Sequence, residues 1–212
     1  MSFLTRIAAI LCAGLVGCST MVYQQGDRAA GSTQAAAAQL QQQKQSVEVM
    51  MARLNELVNK PAADLKPQFE SFSLALGKLA ASSQRGPGTG MQMVRSTAAY
   101  ISAWNRELTV ITNTSLRSLS TARKAEVTDQ FNAVSRHYAD AQKLLRALVY
   151  HVEDFHKALG ADLTQGGTQA VTALMSELTA EASRVQAALG EVHAELGALS
   201  TAMSTTGASR RT

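Results

Sequence analysis

Between residues 127 and 159 the apolar positions recur without a slip. Val127, Phe131, Val134, Tyr138, Ala141, Leu145, Leu148, Val152, Phe155 and Leu159 step alternately by four and three. That spacing draws one apolar stripe along a single helix and favours coiled-coil-like packing against other helices. Upstream, Ala36, Leu40, Val47, Met50, Leu54 and Leu57 follow the same alternation over residues 32 to 59, with Gln43 in one slot. Downstream, Val171, Leu174, Leu178, Ala182, Val185, Leu189, Val192, Leu196, Leu199 and Met203 predict a last helix over about 168–204, with a stutter around Ala182.

The middle of the chain is less regular. Pro61 ends the first helix, Asp64 can cap the second, and Pro67 fits its first turn, where no amide donor is needed. Leu65, Phe69, Phe72, Leu76 and Leu79 again step by four and three. The stretch SSQRGPGTG at 82–90 then breaks the pattern and reads as a flexible joint. The pattern resumes at Val94, Ala98, Ile101, Leu108 and Ile111, which leaves Trp104 one place off the stripe. TNTS at 112–115 reads as a tight corner in which Asn113 ends one helix or caps the next; a continuous helix through this point is the competing reading. GADLTQGG after Leu159 is a loop. The expectation is an all-α fold, an elongated antiparallel bundle of three to four long helices with coiled-coil-like heptad packing.

Composition supports helix and little else. Hydrophobic residues make up 46% of the 212, aromatics only 5%, and there are three prolines. Ala and Leu, both good helix formers, are the commonest residues, and Gln is abundant. The net charge is +4 and the two signs are interleaved, so nucleic acid is not an implied partner.

The first residues change the picture. A short, positively charged start (Met1 to Arg6) is followed by an apolar run from Ile7 to Gly17. Such a run is roughly 16 Å long as a helix, about half of a bilayer's hydrocarbon, and too short to span. The layout is that of a secretory leader. Its end reads Leu15-Val16-Gly17-Cys18, which resembles the bacterial lipobox; a plain signal peptide with an incidental cysteine is the alternative. In a lipobox protein the Cys18 thiol is alkylated by a diacylglyceryl group and cleavage makes Cys18 the first residue. Ser19, rather than Asp, then implies the outer membrane, facing the periplasm, in hosts with that sorting. Cys12 leaves with the leader, so no thiol or disulfide remains and packing alone must stabilise the body. The expected organisation is a leader over 1–17, a lipidated N-terminus and tether over 18–31, a helical bundle over 32–204 and a flexible tail over 205–212.

Candidate chemistry is sparse. His137, His151, His156 and His193 include no pair at the four-residue spacing that puts two zinc ligands on one helix face, so no metal and no cofactor are expected. Glu153 and Asp154 lie near His156 but beside an unbroken apolar stripe, with no pocket-forming loop. GPGTG lacks the Lys and Ser/Thr of a phosphate-binding loop. Trp104 reads first as a widening of the buried face and second as an anchor for a partner. Arg117, Arg123 and Lys124 read first as a solvated helix surface, given nearby Glu107 and Glu126, and second as a contact for anionic lipid or glycan.

Several stretches carry a resemblance: PAADLKPQF at 61–69, WNREL at 104–108, RKAEV at 123–127 with Phe131 and Tyr138, and LGADL at 159–163. Over most of the mature chain the sequence resembles a bacterial envelope family known as domain-of-unknown-function family 2959. The resemblance implies long helices and lipobox leaders, and brings no activity and no site residues. The expected role is a lipid-anchored structural or interaction module of the cell envelope, not an enzyme, with an envelope protein or peptidoglycan as partner. The alternative is a ligand-binding or stress-related envelope protein using a cavity between helices.

Overall fold

The computed structural model describes residues 16–205, with side chains from residue 22 onward. The leader expected over 1–17 and the tail expected over 205–212 fall almost wholly outside the described residues, and Cys18 is outside those whose side chains are described. The fold is all-α, with helices α1 (Val16–Asn59), α2 (Lys66–Val110), α3 (Thr114–Ala161), α4 (Gln165–Thr172) and α5 (Met175–Met203). There is no strand among the described residues.

The α3 stripe is buried as the pattern requires. Nine of its ten positions are in the core and Phe155 is half-buried. In α1, every stripe position from Ala36 to Leu57 is buried, Gln43 included. Pro61 follows the end of α1 closely, and the Asp64 carboxylate accepts a hydrogen bond from the Lys66 amide (3.0 Å) at the start of α2. At the next corner the chain does break. The Asn113 side chain caps α3 by accepting from the Leu116 amide (3.0 Å).

Three expectations are corrected. The segment expected as a tether, 18–31, is helical in α1. Its buried face continues the stripe backwards through Thr33, Ala29 and Gly26, residues too small to show as a hydrophobic pattern. At Gly26 a Cβ would come within 3.0 Å of the Met203 carbonyl oxygen and 3.2 Å of the Tyr100 ring, so a glycine lets α1 lie close to its neighbours.

The second correction concerns 82–90, which is continuous helix inside α2 with Pro87 on its exposed side. The four-three alternation never stops there. It runs from Leu79 through Ser83, Gly86 and Gly90 to Met93 and Thr97, all buried, and on through Tyr100 to Trp104, both half-buried. Trp104 is therefore on the stripe, whereas Val94 (42% exposed) and Ala98 face outward. The small residues answer large polar ones opposite. A Cβ on Gly86 would collide with the Gln142 amide, and one on Gly90 would lie 2.6 Å from the Tyr138 ring.

Third, the last helix is divided. α4 is capped by the Thr164 hydroxyl, which accepts from the Gly167 amide (3.1 Å). The chain then tightens at Ala173–Leu174, where the Leu174 amide donates to Val171 three residues back (3.1 Å), before α5 begins. Val171 is consequently half-buried and Leu174 is 53% exposed, although the pattern places both in the core.

The long helices touch in a defined order: α1 against α2 and α5, and α3 against α2 and α5. Cross-helix contacts run in opposite chain directions at each of these junctions. Between α2 and α3 they are Ser73 with His156, Gly86 with Tyr138 and Trp104 with Ser120. Between α1 and α5 they are Ala37 with His193 and Ala30 with Ser200. Halfway along lies one buried polar layer. Gln43 and Gln142 exchange hydrogen bonds (3.2 and 2.7 Å), and Gln43 also donates to the Ser82 carbonyl (3.1 Å). The Tyr138 hydroxyl donates to the Gly86 carbonyl (2.9 Å), and burial pushes its pKa up to about 12.

Candidate functional site

Two regions at opposite ends of the molecule carry features that the core does not use. The first is the corner between α2 and α3. It holds all the side chains picked out as interaction candidates, and the structure commits most of them to internal contacts. The Trp104 indole donates to the Ser120 hydroxyl across the corner (2.9 Å) and leans on Tyr100, with ring centroids 5.4 Å apart. Lys124 donates to the Asn105 side chain (2.6 Å). Arg123 pairs with Glu126 one turn on (2.9 Å) and reaches the Ala202 carbonyl at 3.5 Å. Arg117 is exposed and has no ion pair among the described residues. Trp104 thus acts chiefly as a clamp between α2 and α3, and Arg117 alone of the four stays uncommitted.

Sequence reasoning misses the apolar residues beside it. Val110 (68% exposed), Leu116 (59%) and Leu119 (69%) stand out around the corner with no core to enter. The signal is present in the sequence as large apolar residues falling off the stripe within a few positions of Asn113.

The second region is a groove of about 510 Å³ between α3, α4 and the start of α5. Its apolar lining comes from Phe155, Ala158, Val171, Leu174 and Leu178, and its polar lining from His151, Asp154, Glu177, Glu181 and Arg184. The turn at Ala173–Leu174 makes this space, because it lifts Val171 and Leu174 out of the core while Leu178 stays in it. Across one side His151 Nδ1 lies 2.7 Å from the Glu181 carboxylate, and that hydrogen bond, reinforced by the carboxylate's charge, raises the imidazole pKa. The Lys157 ammonium, bonded to Asp154 at 2.9 Å, holds that carboxyl below its usual value. The groove is roughly 50 Å from the α2–α3 corner, judged by the α3 residues that separate them at about 1.5 Å each.

The remaining histidines join helices. His137 meets the Glu195 carboxylate (2.9 Å), tying α3 to α5. His156 is half-buried, stacked on Phe69 at 4.8 Å and bonded to the Ser73 hydroxyl (2.8 Å). His193 is also half-buried, with Nδ1 2.9 Å from the Ala37 carbonyl. Among the described residues no three His, Cys, Asp or Glu side chains gather closely enough to hold a metal ion. None of the described helices is long and apolar enough to cross a membrane.

Comparison of the chain with protein-family models, with curated proteins and with solved structures finds no match in any of the three.

Proposed function

We propose that this chain is a lipid-anchored envelope protein that works as a rigid structural or interaction module and catalyses no reaction. The observation that carries the reading is the Leu15-Val16-Gly17-Cys18 sequence directly behind a short charged and apolar leader. The body suits that role. The long helices α1, α2 and α3 and the shorter α5 make an elongated, antiparallel, up-down-up-down bundle with heptad spacing, roughly 65–70 Å long from the 44 to 48 residues of α1, α2 and α3 at about 1.5 Å each. Such a rod holds a partner at a set distance from the bilayer, and an envelope protein or peptidoglycan is the partner of choice. Ser19 favours the outer membrane, periplasmic side. Membership of the envelope family named above rests on the quoted stretches.

The experiment is metabolic labelling with a radioactive fatty acid. The parent and Cys12→Ser are expected to be labelled and to fractionate with membranes. Cys18→Ser is expected to lose both. Equal labelling of Cys18→Ser would refute the anchor.

The groove between α3, α4 and α5 favours a second reading, an envelope ligand-binding protein. Its apolar lining, with convergent carboxylates, suits a small cationic amphiphile. A ligand that co-purifies with the parent and is lost with Phe155→Ala would support this reading over the spacer.

A further inference from the structure

We infer that the α2–α3 corner is a second membrane contact, docking on the same anionic bilayer that holds the lipidated Cys18. The inference rests on the anchor proposed above and adds a site to it.

Helix register places the two features together. Gly26 of α1 lies against Tyr100 of α2, and the two helices run in opposite directions. Moving eight residues, or about 12 Å, toward the N-terminus from Gly26 reaches Cys18, and moving the same distance along α2 reaches Leu108. The corner at 111–113 projects roughly one helical turn, about 5 Å, beyond that level. On α3, Ser120 sits opposite Trp104, which brings Leu116 level with Leu108 and hence with Cys18. Because α1 is helical from Val16, no flexible tether lies between the cysteine and the body. Acyl chains on Cys18 in the bilayer therefore bring Val110 and Leu116 to the headgroup level, with Leu119 one turn above.

The surface chemistry fits a bilayer. Val110, Leu116 and Leu119 are the three most exposed apolar residues at this end, and nothing among the described residues covers them. Between Trp104 and Glu126 there are four basic side chains, Arg106, Arg117, Arg123 and Lys124, against the acids Glu107 and Glu126. Apolar residues at the headgroup–acyl boundary, with Arg117 beside them and Arg106, Arg123 and Lys124 above, fit an interfacial contact with an anionic surface. A covalent lipid with a second, weak contact also fixes the tilt of the body, which one flexible attachment point cannot do.

The test uses the full-length, lipidated chain in vesicles of phosphatidylethanolamine with a minority of phosphatidylglycerol. The mature protein has no other free thiol, so Leu116→Cys can carry a single nitroxide label. Ala63→Cys, exposed in the α1–α2 loop at the opposite end, is the reference. Collision with oxygen, which concentrates in the bilayer, is compared with collision with a water-soluble nickel chelate. The expected result is a severalfold higher oxygen-to-chelate ratio at residue 116 than at residue 63, reduced by Arg117→Glu. If the protein floats with the vesicles but both labels meet the chelate equally, the corner contact is refuted and the anchor stands. If the residue 116 label is shielded from both reagents, the corner is covered by protein instead of lipid, and the proposal fails. If the protein does not float at all, the anchor fails and the corner contact with it.

Discussion

Two stretches of this molecule invert what their residues suggest. Residues 82–90 hold three glycines and a proline, yet stay helical inside α2. Residues 172–175, Thr-Ala-Leu-Met, contain no strong helix breaker, yet the helix divides there. The difference lies in what surrounds them. At 86 and 90 the absent Cβ atoms make room for Gln142 and Tyr138, and close packing against those side chains outweighs the roughly 1 kcal/mol of helix propensity that each glycine forgoes. Pro87 faces solvent, so its ring enters no packed interface, although it still removes one helical hydrogen bond. At 173–174 the constraint comes from one side. Gly167 is pressed against the backbone of Asp162, which fixes how α4 leaves the α3–α4 corner, and the tightened turn lets α5 resume its own line between α1 and α3. Packing, not local preference, decides both sites.

The largest expected effect separates Leu174 from Leu178. Leu178 is 3% exposed, so Leu178→Ala should cost about 2–5 kcal/mol. Leu174 is mostly exposed, so Leu174→Ala should change stability by no more than about 0.5 kcal/mol. Equal losses in chemical denaturation would mean that the helix is continuous and that the groove does not exist.

The polar layer should respond next, and non-additively. Gln43→Leu alone strands the Gln142 amide in the core, at a cost of about 1–3 kcal/mol. The double change Gln43→Leu with Gln142→Leu removes both polar groups and should recover most of that loss. A double-mutant cycle with no coupling would show that the two amides do not share hydrogen bonds.

The smallest effect is at the groove. His151 has its pKa raised in the folded protein by Glu181, so the pair's contribution is complete below the ordinary imidazole value of 6.5 and is lost as pH rises through the folded pKa. The pair is exposed enough to be screened, which keeps this below about 1 kcal/mol. An NMR titration should show the His151 pKa falling back in Glu181→Gln. An unchanged value would remove the carboxylate as its cause.

Much of the helical pattern is legible in the sequence, for reasons that also explain what is not. In α3 the stripe is built from Leu, Val, Phe and Tyr, whose burial leaves a strong periodic signal. In α2 the same stripe passes through Ser83, Gly86 and Gly90, which carry no such signal because their partners supply the volume. Losing the stripe there shifts the reading by one residue and places Val94 where Met93 belongs. The N-terminal turns of α1 read as a tether for the same reason, since Gly26 and Ala29 are small. The exposed leucines of the α2–α3 corner are hidden in the opposite way, because an apolar residue's type does not reveal that the chain turns before it can be covered. The proposed lipobox at Leu15 to Cys18 is a short linear pattern that needs no tertiary context, and so the proposal can be made from sequence alone.

The proposed spacer role requires a rod without a joint at 82–90, and alanine at its three glycines tests that most directly. Gly88 is exposed with nothing within 4 Å of a Cβ, so Gly88→Ala should raise stability by about 0.5–1 kcal/mol, or roughly 2–4 °C in melting temperature per kcal/mol. Gly86→Ala and Gly90→Ala gain the same propensity but displace Gln142 and Tyr138, and should each lose about 1–3 kcal/mol net. Thermal melting of the three purified variants beside the parent reads the sign directly. One rise and two falls is the result this account predicts. A rise in all three would mean that the glycines serve flexibility, that 82–90 is a joint, and that the molecule is not one rigid rod.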